Sequence, residues 1–308
     1  YAKALRISPH GLVGAILARV SALTPPNVVA QLTENDLPMT LNINVALVAP
    51  TGSGKGRVMA QSRHLVPASP MCPLEEIKPK TGESIPAKFV AKVPAVDGDG
   101  KQIKGEYADK VLTDRCLLYM PEIVSLRAAM NRQGSVILPT LLESFSNEPI
   151  GDDTKGKQFQ TKLPSYGYRL AAVVGVQPTN AGVLFDEAQT GLAGRFIYVA
   201  ATDADAPEKR PQLPAGAFPF DTTCIPSGNG LESLQALIDY KGLENMPDNG
   251  PDAREGYPLT AITFPEVAAR YADDAQRLSV SGKATSLDAH RVELVARVAA
   301  LLAVMDYR

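Results

Sequence analysis

The sequence contains no tryptophan, and aromatic residues make up only 6% of its 308 residues. So few aromatic rings argue against a wide base-stacking surface of the kind used to bind single-stranded nucleic acid. The three cysteines, Cys72, Cys116 and Cys224, are odd in number and far apart, and the three histidines form no metal-binding pattern. We therefore expect reduced thiols in a cytoplasmic protein, not a disulfide scaffold or a zinc module.

A strong charge imbalance and a membrane-spanning run are also missing. Lysine and arginine number 31 against 33 acidic residues, and the net charge of −2 argues against a protein that coats nucleic acid with a basic surface. Local basic loops are compatible with this charge. The apolar stretch 292–305 is interrupted by Glu293 and Arg297, so we expect no membrane partner. Residue 1 is Tyr, and the last helical pattern runs to residue 308 without a stop signal. We therefore expect a region of a longer polypeptide.

Residues 41–60, LNINVALVAPTGSGKGRVMA, combine a short apolar run, a glycine-rich turn and the start of a helix. This order is typical of a phosphate-binding P-loop. Gly52 and Gly54 let the backbone curl so that its N–H groups face an anion, and Lys55 can reach the terminal phosphates of a nucleotide. The following helix directs its positive end at the same place. The predicted nucleotide-binding residues are Pro50, Thr51, Gly52, Ser53, Gly54, Lys55, Gly56, Arg57 and Asn180.

The motif departs from the usual G-x-x-x-x-G-K-[ST] pattern at two positions. Ala49 replaces the first glycine, and Gly56 replaces the Ser or Thr whose hydroxyl binds Mg²⁺. The ending GSGKG also occurs in adenylate-kinase-like proteins, so nucleotide binding is compatible with the change. Water, or a hydroxyl from Thr51 or Ser53, would have to complete the coordination of Mg²⁺.

The order of elements predicts an α/β fold with a parallel sheet flanked by helices. Apolar runs predict strands at 45–49, 116–120, 168–176 and 196–200, with helices at 55–64, 123–130, 135–146 and 181–188 between them. Asp-Gly pairs at 97–100 predict a β-hairpin, and the proline-rich stretch 66–86 predicts a surface loop. We predict an N-terminal helical segment at 1–40, with Ser8 as a helix cap, and a P-loop core at 41–205. A proline-rich linker at 206–219 and a truncated C-terminal helical lobe at 220–308 follow.

Polar residues follow two of the predicted strands. Glu122 comes directly after the strand CLLYM, where we expect the acid that holds Mg²⁺ and polarises the attacking water, on the strand beside that of the P-loop. Pro121 stands where an Asp usually precedes this acid, and the alternative role for Glu122 is to cap the next helix. Gln177 and Asn180 follow the third strand and are candidates to face the γ-phosphate; the alternative is a turn or a helix cap.

Four basic residues complete the candidate site. Arg195 precedes the fourth strand, where ring ATPases carry an arginine that reaches the neighbouring subunit; the alternative is a surface salt bridge. Lys155 and Lys157 lie in a polar loop suited to contacts with DNA phosphates, and Arg132 adds to that surface. The alternative is a solvated loop.

The span from residue 8 to about 204 resembles a family of helicase-like P-loop ATPases. These occur in actinobacteria, their phages and mobile elements, often beside primase–polymerase modules. The resemblance rests on SPHGLVGAILARVSALTPP, LNINVALVAPTGSGKGR, MNRQGSVILPTLLESFSNEPIG, YRLAAVVGVQPTNAG and GLAGRFIYVAATD. It implies an AAA+/RecA-like core and a role in DNA replication, with ATP and Mg²⁺ as cofactors. The resemblance also places the nucleotide contacts on residues 51–55, the acid on Glu122, the polar strand-end group on Gln177 and the arginine on Arg195.

Three functions are compatible with this sequence. The first is a DNA-dependent ATPase or helicase module that forms a homo-oligomeric ring, a hexamer being one form, and binds single-stranded DNA and a primase or polymerase module. The second is a nucleotide-binding scaffold or switch that hydrolyses poorly, which the missing Mg²⁺-side groups suggest. The third is a small-molecule kinase, suggested by GSGKG but lacking an arginine-rich lid.

Overall fold

The computed structural model describes residues 1–70, 72–152, 161–185, 191–215, 219–222, 225, 235, 259–283, 285 and 287–306. Within these ranges the chain forms a mixed α/β structure around a five-stranded parallel sheet with helices on both faces. The predicted fold class is confirmed at this level. None of the described helices combines the length and the hydrophobicity that a membrane crossing requires.

The N-terminal elements are α1 (Ala2–Leu5), α2 (Pro9–Leu23), β1 (Val28–Gln31) and β2 (Met39–Thr40). The middle of the chain contains β3 (Asn44–Val48), α3 (Lys55–Leu65), β4 (Glu75–Ile77), α4 (Pro86–Phe89), β5 (Val90–Val96), β6 (Gln102–Val111), β7 (Arg115–Met120), α5 (Ile123–Met130) and α6 (Ile137–Ser146). The elements that follow are β8 (Ile150–Asp152), β9 (Thr161–Leu163), β10 (Arg169–Val176), α7 (Gly182–Phe185), β11 (Phe196–Ala200), β12 (Thr260–Thr263), α8 (Glu266–Val280) and α9 (Arg291–Met305).

The central sheet has the strand order β11-β3-β10-β7-β4, with every pair parallel. Its central strand, β10, is buried along its whole length. Helices cover both faces of a parallel sheet, and its inner strands are therefore continuous apolar runs. Val45 of β3 lies opposite Val173 of β10 on one side and Ile197 of β11 on the other, which fixes the register around the centre of the sheet.

Alternate side chains of the strands enter two separate hydrophobic clusters. Val45, Leu47 and Val173 pack with residues of α2, α3 and α9 on one face. Ala46 and Val174 pack with residues of α4, α5, α6 and α7 on the other. This division follows from the two-residue period of a strand, which sends successive side chains to opposite faces.

The start of α2 is attached to the end of β11. The Ser8 hydroxyl accepts the N–H of Gly11 at 3.0 Å and donates to the Ala200 carbonyl at 2.6 Å. Ser8 is therefore the helix cap that the sequence predicts, with Pro9 as the first helical residue. The same hydroxyl holds the N-terminal helices close to the carboxyl edge of the sheet, where β11 ends.

The loop predicted at 66–86 contains the edge strand β4, which pairs with β7. Glu76 of this strand accepts hydrogen bonds from Arg19 of α2 and Arg63 of α3. A three-residue strand with two glutamates has no apolar run that would predict it. The ion pairs of Glu76 attach this strand to α2 and α3, and the buried Ile77 packs in the core. The hairpin predicted around the Asp-Gly pairs is confirmed as β5 and β6, with Asp97 accepting the N–H of Lys101 at 2.8 Å.

The two ends of the described chain meet in a second sheet with the order β12-β1-β2. Thr260 of β12 pairs in parallel with Val28 of β1, so the segment predicted as helical at 1–40 also contains strands. On α9, Ala300 and Leu301 are buried in the same cluster as α2, and the buried Arg297 donates to the carbonyls of Asn42 and Phe145 at 2.7 and 2.9 Å. In the C-terminal part of the chain, α9 therefore packs against the N-terminal elements, and the predicted C-terminal lobe at 220–308 stays a prediction.

Candidate functional site

The carboxyl ends of β3, β10 and β7 lie side by side at one edge of the central sheet. The chain leaves β3 through a turn that the Ala49 N–H ties to the Val176 carbonyl of β10 at 2.9 Å. Gly52 and Gly54 have φ values of +76° and +98°, a region that favours glycine, and no atom lies within 4 Å of where a Cβ would stand on either residue. The turn therefore has an open side, and α3 begins directly after it at Lys55.

The Lys55 side chain lies within this turn. Lys55 is 8% exposed, and its Nζ donates to the carbonyls of Ala49 and Pro50 at 2.8 and 3.1 Å. The Ser53 hydroxyl donates to the same Pro50 carbonyl at 2.5 Å. An ammonium group has three donors, so a buried lysine that bonds neutral carbonyls can exchange them for the oxygens of an anion.

Glu122 and Gln177 meet across the ends of two neighbouring strands. The Gln177 amide Nε2 donates to Glu122 Oε2 at 2.8 Å, and both residues are half-buried. Glu122 occupies the N-cap position of α5, but its side chain does not cap the helix. The alternative role as a helix cap is therefore absent from this structure, and the carboxylate is aligned by Gln177 instead.

The order of the strands corrects one expectation. Glu122 follows β7, which is separated from β3 by β10 and does not lie beside it. An apolar run shows that a strand is buried but contains no information on which strand lies beside it, so chain order was mistaken for sheet order. Gln177 follows the intervening strand and thus lies between the turn of Lys55 and the carboxylate of Glu122.

Gly175 of β10, which is not among the predicted site residues, permits the close approach of Pro121 and Lys55. A Cβ on Gly175 would lie 1.9 Å from the Pro121 carbonyl oxygen and 3.4 Å from Cε of Lys55. A glycine inside an otherwise apolar strand was the available signal, because such a glycine often marks a close backbone approach. Pro121, which replaces the expected Asp, presents its carbonyl oxygen to this glycine.

Two further predicted contacts lie around the turn. Asn180 ends a 3-10 turn, and its N–H donates to the Gln177 carbonyl at 2.8 Å, in agreement with the turn that was the alternative for this residue. Arg57, in the first turn of α3, is exposed, and its guanidinium donates to the Leu5 carbonyl at the end of α1 at 2.5 Å. The N-terminal helix α1 therefore borders the turn.

Arg195 and Lys55 lie at opposite ends of the parallel strands. Arg195 precedes β11, so it belongs to the amino ends of the parallel strands. Its guanidinium donates to the Gly191 carbonyl at 3.0 Å and lies 5.7 Å from the centre of the Phe145 ring. Burial lowers the pKa of Arg195, while Glu293 counteracts part of this effect. Within one chain, Arg195 is separated from the turn of Lys55 by the length of the strands.

The predicted nucleic-acid surface is described only in part. Lys155 and Lys157 lie outside the described residues, between the antiparallel strands β8 and β9. Arg132 is exposed, and its guanidinium donates to the Lys80 carbonyl at 3.0 Å. The position of Arg132 relative to these two lysines lies outside what the structure describes, and the role of all three residues in binding DNA stays a prediction.

Across the ranges that the structure covers, no group of three or more His, Cys, Asp or Glu side chains is arranged to hold a metal ion. At the turn itself, Gly56 provides no hydroxyl and Pro121 no carboxylate, which leaves Glu122 as the predicted metal ligand. Comparison of the chain with models of known protein families and with curated protein sequences gives no match.

Proposed function

We propose that this chain is a P-loop ATPase with an AAA+/RecA-like core that acts as a helicase-like module in the DNA replication of a phage or mobile element. The observation that supports it most is the convergence of Lys55, Gln177 and Glu122 at the ends of three neighbouring strands. A cation, an amide and a carboxylate at one sheet edge suit the binding of a phosphate chain and the activation of water.

The connections of the sheet favour nucleotide binding at this edge. The chain leaves β3 over the face that carries α3, and it leaves β10 over the face that carries α7. A crevice forms where neighbouring strands connect in opposite directions, and ligands of open α/β sheets bind there. The turn at Gly52 and Gly54, the first N–H groups of α3 and the Lys55 ammonium would surround the phosphates in this crevice.

In the proposed reaction, water attacks the γ-phosphorus, and the bond to the β-phosphate oxygen breaks to give ADP and phosphate. The Glu122 carboxylate accepts the proton of the attacking water, and the Gln177 amide keeps that carboxylate in place. Lys55 balances negative charge on the phosphates after releasing the carbonyls of Ala49 and Pro50.

A site with one carboxylate is compatible with Mg²⁺. This ion usually retains several waters and binds one or two carboxylates together with the phosphates of the substrate. Glu122 is the residue that would hold it, with Thr51 or Ser53 contributing a hydroxyl through the turn. Bound Mg²⁺ would supply neutralisation of phosphate charge.

A second candidate is a nucleotide-binding scaffold or switch with weak hydrolysis. Gly56 lacks the usual hydroxyl, and the Pro121 carbonyl lies against Gly175 where a carboxylate is expected. This candidate predicts tight ATP binding with negligible turnover. Turnover of about one per second or faster, within the ordinary range of enzymes, would exclude it.

The partners in this proposal are single-stranded DNA, further copies of the same chain and a primase or polymerase module, in the cytoplasm. Because Arg195 and Lys55 lie at opposite edges of the sheet, Arg195 can serve an ATP site only from a neighbouring chain. Ring assembly would provide that neighbour, and Lys155 and Lys157 would line the path of DNA.

The proposal is tested by ATP hydrolysis with and without single-stranded DNA, together with the molecular mass in solution with ATP. The matched pair of variants is Lys55→Ala and Lys101→Ala, the second at the exposed end of the β5–β6 hairpin. We expect Lys55→Ala to lose ATP binding and turnover, Lys101→Ala to retain both, and DNA to accelerate turnover. Unchanged ATP binding in Lys55→Ala would contradict the site, and turnover indifferent to DNA would contradict the coupling.

A further inference from the structure

The guanidinium of Arg195 meets the C-terminal helix α9 at the amino ends of the parallel strands. Arg195 precedes β11, and Arg297 of α9 donates to the carbonyl of Asn42, which precedes the neighbouring strand β3. Both guanidinium groups lie over the ring of Phe145, near the end of α6, with their central carbons 5.7 and 3.9 Å from its centre. The face of an aromatic ring attracts cations at such distances. A single side chain therefore links the position of Arg195 to the packing of α9.

Glu293 supplies negative charge to this cluster. Its carboxylate accepts a hydrogen bond from Arg297 at 3.3 Å and contacts Nδ1 of His290 at 3.4 Å, while the His290 ring lies edge-on to Phe145 with the ring centres 5.3 Å apart. The pKa of Arg297 is lowered to about 10, chiefly by burial and partly by the charge of Arg195, while Glu293 opposes the shift. The two guanidinium groups therefore repel each other, and Glu293 offsets part of that repulsion.

Arg195 remains partly exposed within this cluster. Its side chain is half-buried, whereas Arg297 is 2% exposed and donates to two backbone carbonyls. A guanidinium has five N–H donors, and the Gly191 carbonyl accepts one of those of Arg195. The cluster therefore holds Arg195 without enclosing it, and a neighbouring molecule can still contact the guanidinium.

We propose that Glu293 and Phe145 are positioning residues for Arg195, which they hold where it can act on the ATP site of a neighbouring chain. This inference rests on the proposed function, because only a neighbouring chain can bring an ATP site to the amino ends of the strands. The exact place of an arginine decides how well it stabilises charge on the γ-phosphate, and a displacement of about 1 Å can lower a rate by about a hundredfold. The helix α9 thus influences hydrolysis in the next subunit through Arg195.

The test compares the full 308-residue chain with Glu293→Gln, Glu293→Asp and the control Glu266→Gln, which changes an exposed carboxylate of α8. Gln keeps the size of the Glu293 side chain and removes its charge, so the repulsion between the two guanidinium groups is no longer offset. We expect kcat to fall about ten- to a hundredfold, with the ATP affinity measured by calorimetry unchanged. Glu293→Asp keeps the charge and should recover part of the loss, and Glu266→Gln should match the unmodified chain.

Mixing of variants separates positioning of Arg195 from a general structural role. A residue that acts through Arg195 affects the site of the neighbour, so Glu293→Gln should be rescued by Lys55→Ala, which brings an intact Arg195 held by an intact Glu293. The turnover of the mixture should then exceed the sum of the two variants measured alone. A defect in the ATP site of the Glu293→Gln chain itself would not be restored in this way.

Three results would overturn the inference. They are an unchanged kcat in Glu293→Gln, a weakened affinity of this variant for ATP, and a loss of turnover that mixing with Lys55→Ala does not restore. If urea denaturation shows that Glu293→Gln does not fold, Phe145→Leu replaces it. This variant removes the ring, keeps an apolar side chain, and is subject to the same expectations and the same three results.

Failure of the proposed function has a different signature. In that case the unmodified chain has no ATP turnover that depends on Lys55, or Arg195→Ala and Lys55→Ala do not restore each other, and the inference fails with it. Failure of the inference alone leaves Arg195→Ala and Lys55→Ala able to restore each other, while Glu293→Gln either matches the unmodified chain or is not restored.

Discussion

The side-chain amide of Gln177 donates to the carboxylate of Glu122 at 2.8 Å and so joins the ends of β10 and β7. The acceptor is the oxygen that would receive a proton from water in the proposed reaction. The donor follows the strand that separates Glu122 from the turn of Lys55. The two residues therefore form one unit, and the effects of changing them should not be additive.

Glu122→Gln should retain ATP binding and lose turnover. The amide has almost the same shape as the carboxylate but cannot accept the proton of water, so we expect turnover to fall by about 10² to 10⁴-fold. ATP affinity by calorimetry and hydrolysis in a single turnover separate the two effects. Glu266→Gln, on the exposed side of α8, is the matched control. Undiminished turnover in Glu122→Gln would remove this residue from the reaction.

Gln177→Leu should lower kcat with little change in KM. The substitution removes the hydrogen bond that orients the Glu122 carboxylate but leaves the turn of Lys55 intact. The informative measurement is the double variant, Gln177→Leu with Glu122→Gln, compared with Glu122→Gln alone. We expect no further loss in the double variant; full additivity of the two losses would show that Gln177 acts independently.

Gly175→Ala should destabilise the fold and weaken ATP binding together. The new methyl group would meet the Pro121 carbonyl and press on Cε of Lys55, and overpacking of this kind costs about 1–3 kcal/mol. Urea denaturation and calorimetry measure the two effects. Gly98→Ala, in a turn where a Cβ has open space, should leave both quantities near their original values. A Gly175→Ala variant of unchanged stability and affinity would contradict the close approach.

Arg195→Ala and Lys55→Ala should each be inactive alone and partly active when mixed. Arg195 lies at the amino edge of the sheet, so it can act only on the site of a neighbouring chain. In a mixed assembly, some sites receive an intact lysine from one chain and an intact arginine from another. Hydrolysis measured over a range of mixing ratios tests this. If Arg195→Ala alone retains full turnover, the residue has no role between subunits.

Glu293→Gln should reduce the loss of stability that the protein undergoes at acidic pH. Burial alone raises the pKa of Glu293, but the hydrogen bond with His290 and the charge of Arg297 outweigh it, so the pKa lies below its ordinary value. A carboxyl group with a lowered pKa contributes stability above its unfolded pKa and loses it as the pH falls through the folded value. We therefore expect the free energy of unfolding to fall more steeply below about pH 4.5 in the unmodified chain than in Glu293→Gln. Urea denaturation at a series of pH values measures this, and an equal fall of the free energy of unfolding in both proteins would contradict it.

The sequence alone predicted the elements that have strong local patterns. The buried runs of β3, β7, β10 and β11, the Ser8 cap and the Asp-Gly hairpin each depend on residues that are close together in the chain. Glu122 and Gln177 were placed at strand ends for the same reason, because the end of an apolar run is visible locally.

Features that depend on distant contacts were missed. The three-residue strand β4 is held by its pairing with β7 and by ion pairs between Glu76 and two helices, all of them contacts between residues far apart in the chain. The position of β10 between β3 and β7, and the pairing of β12 with β1, are properties of the folded sheet and have no local pattern.

The pairing of β1 with β12 has a consequence for how the protein is made. Val28 emerges from the ribosome more than two hundred residues before its partner Thr260, so the small sheet cannot close while the intervening chain is being synthesised. During that time one edge of β1 is exposed, and the growing polypeptide must keep it from pairing with other strands. Its completion is consequently a late step of folding, controlled by the last fifth of the chain.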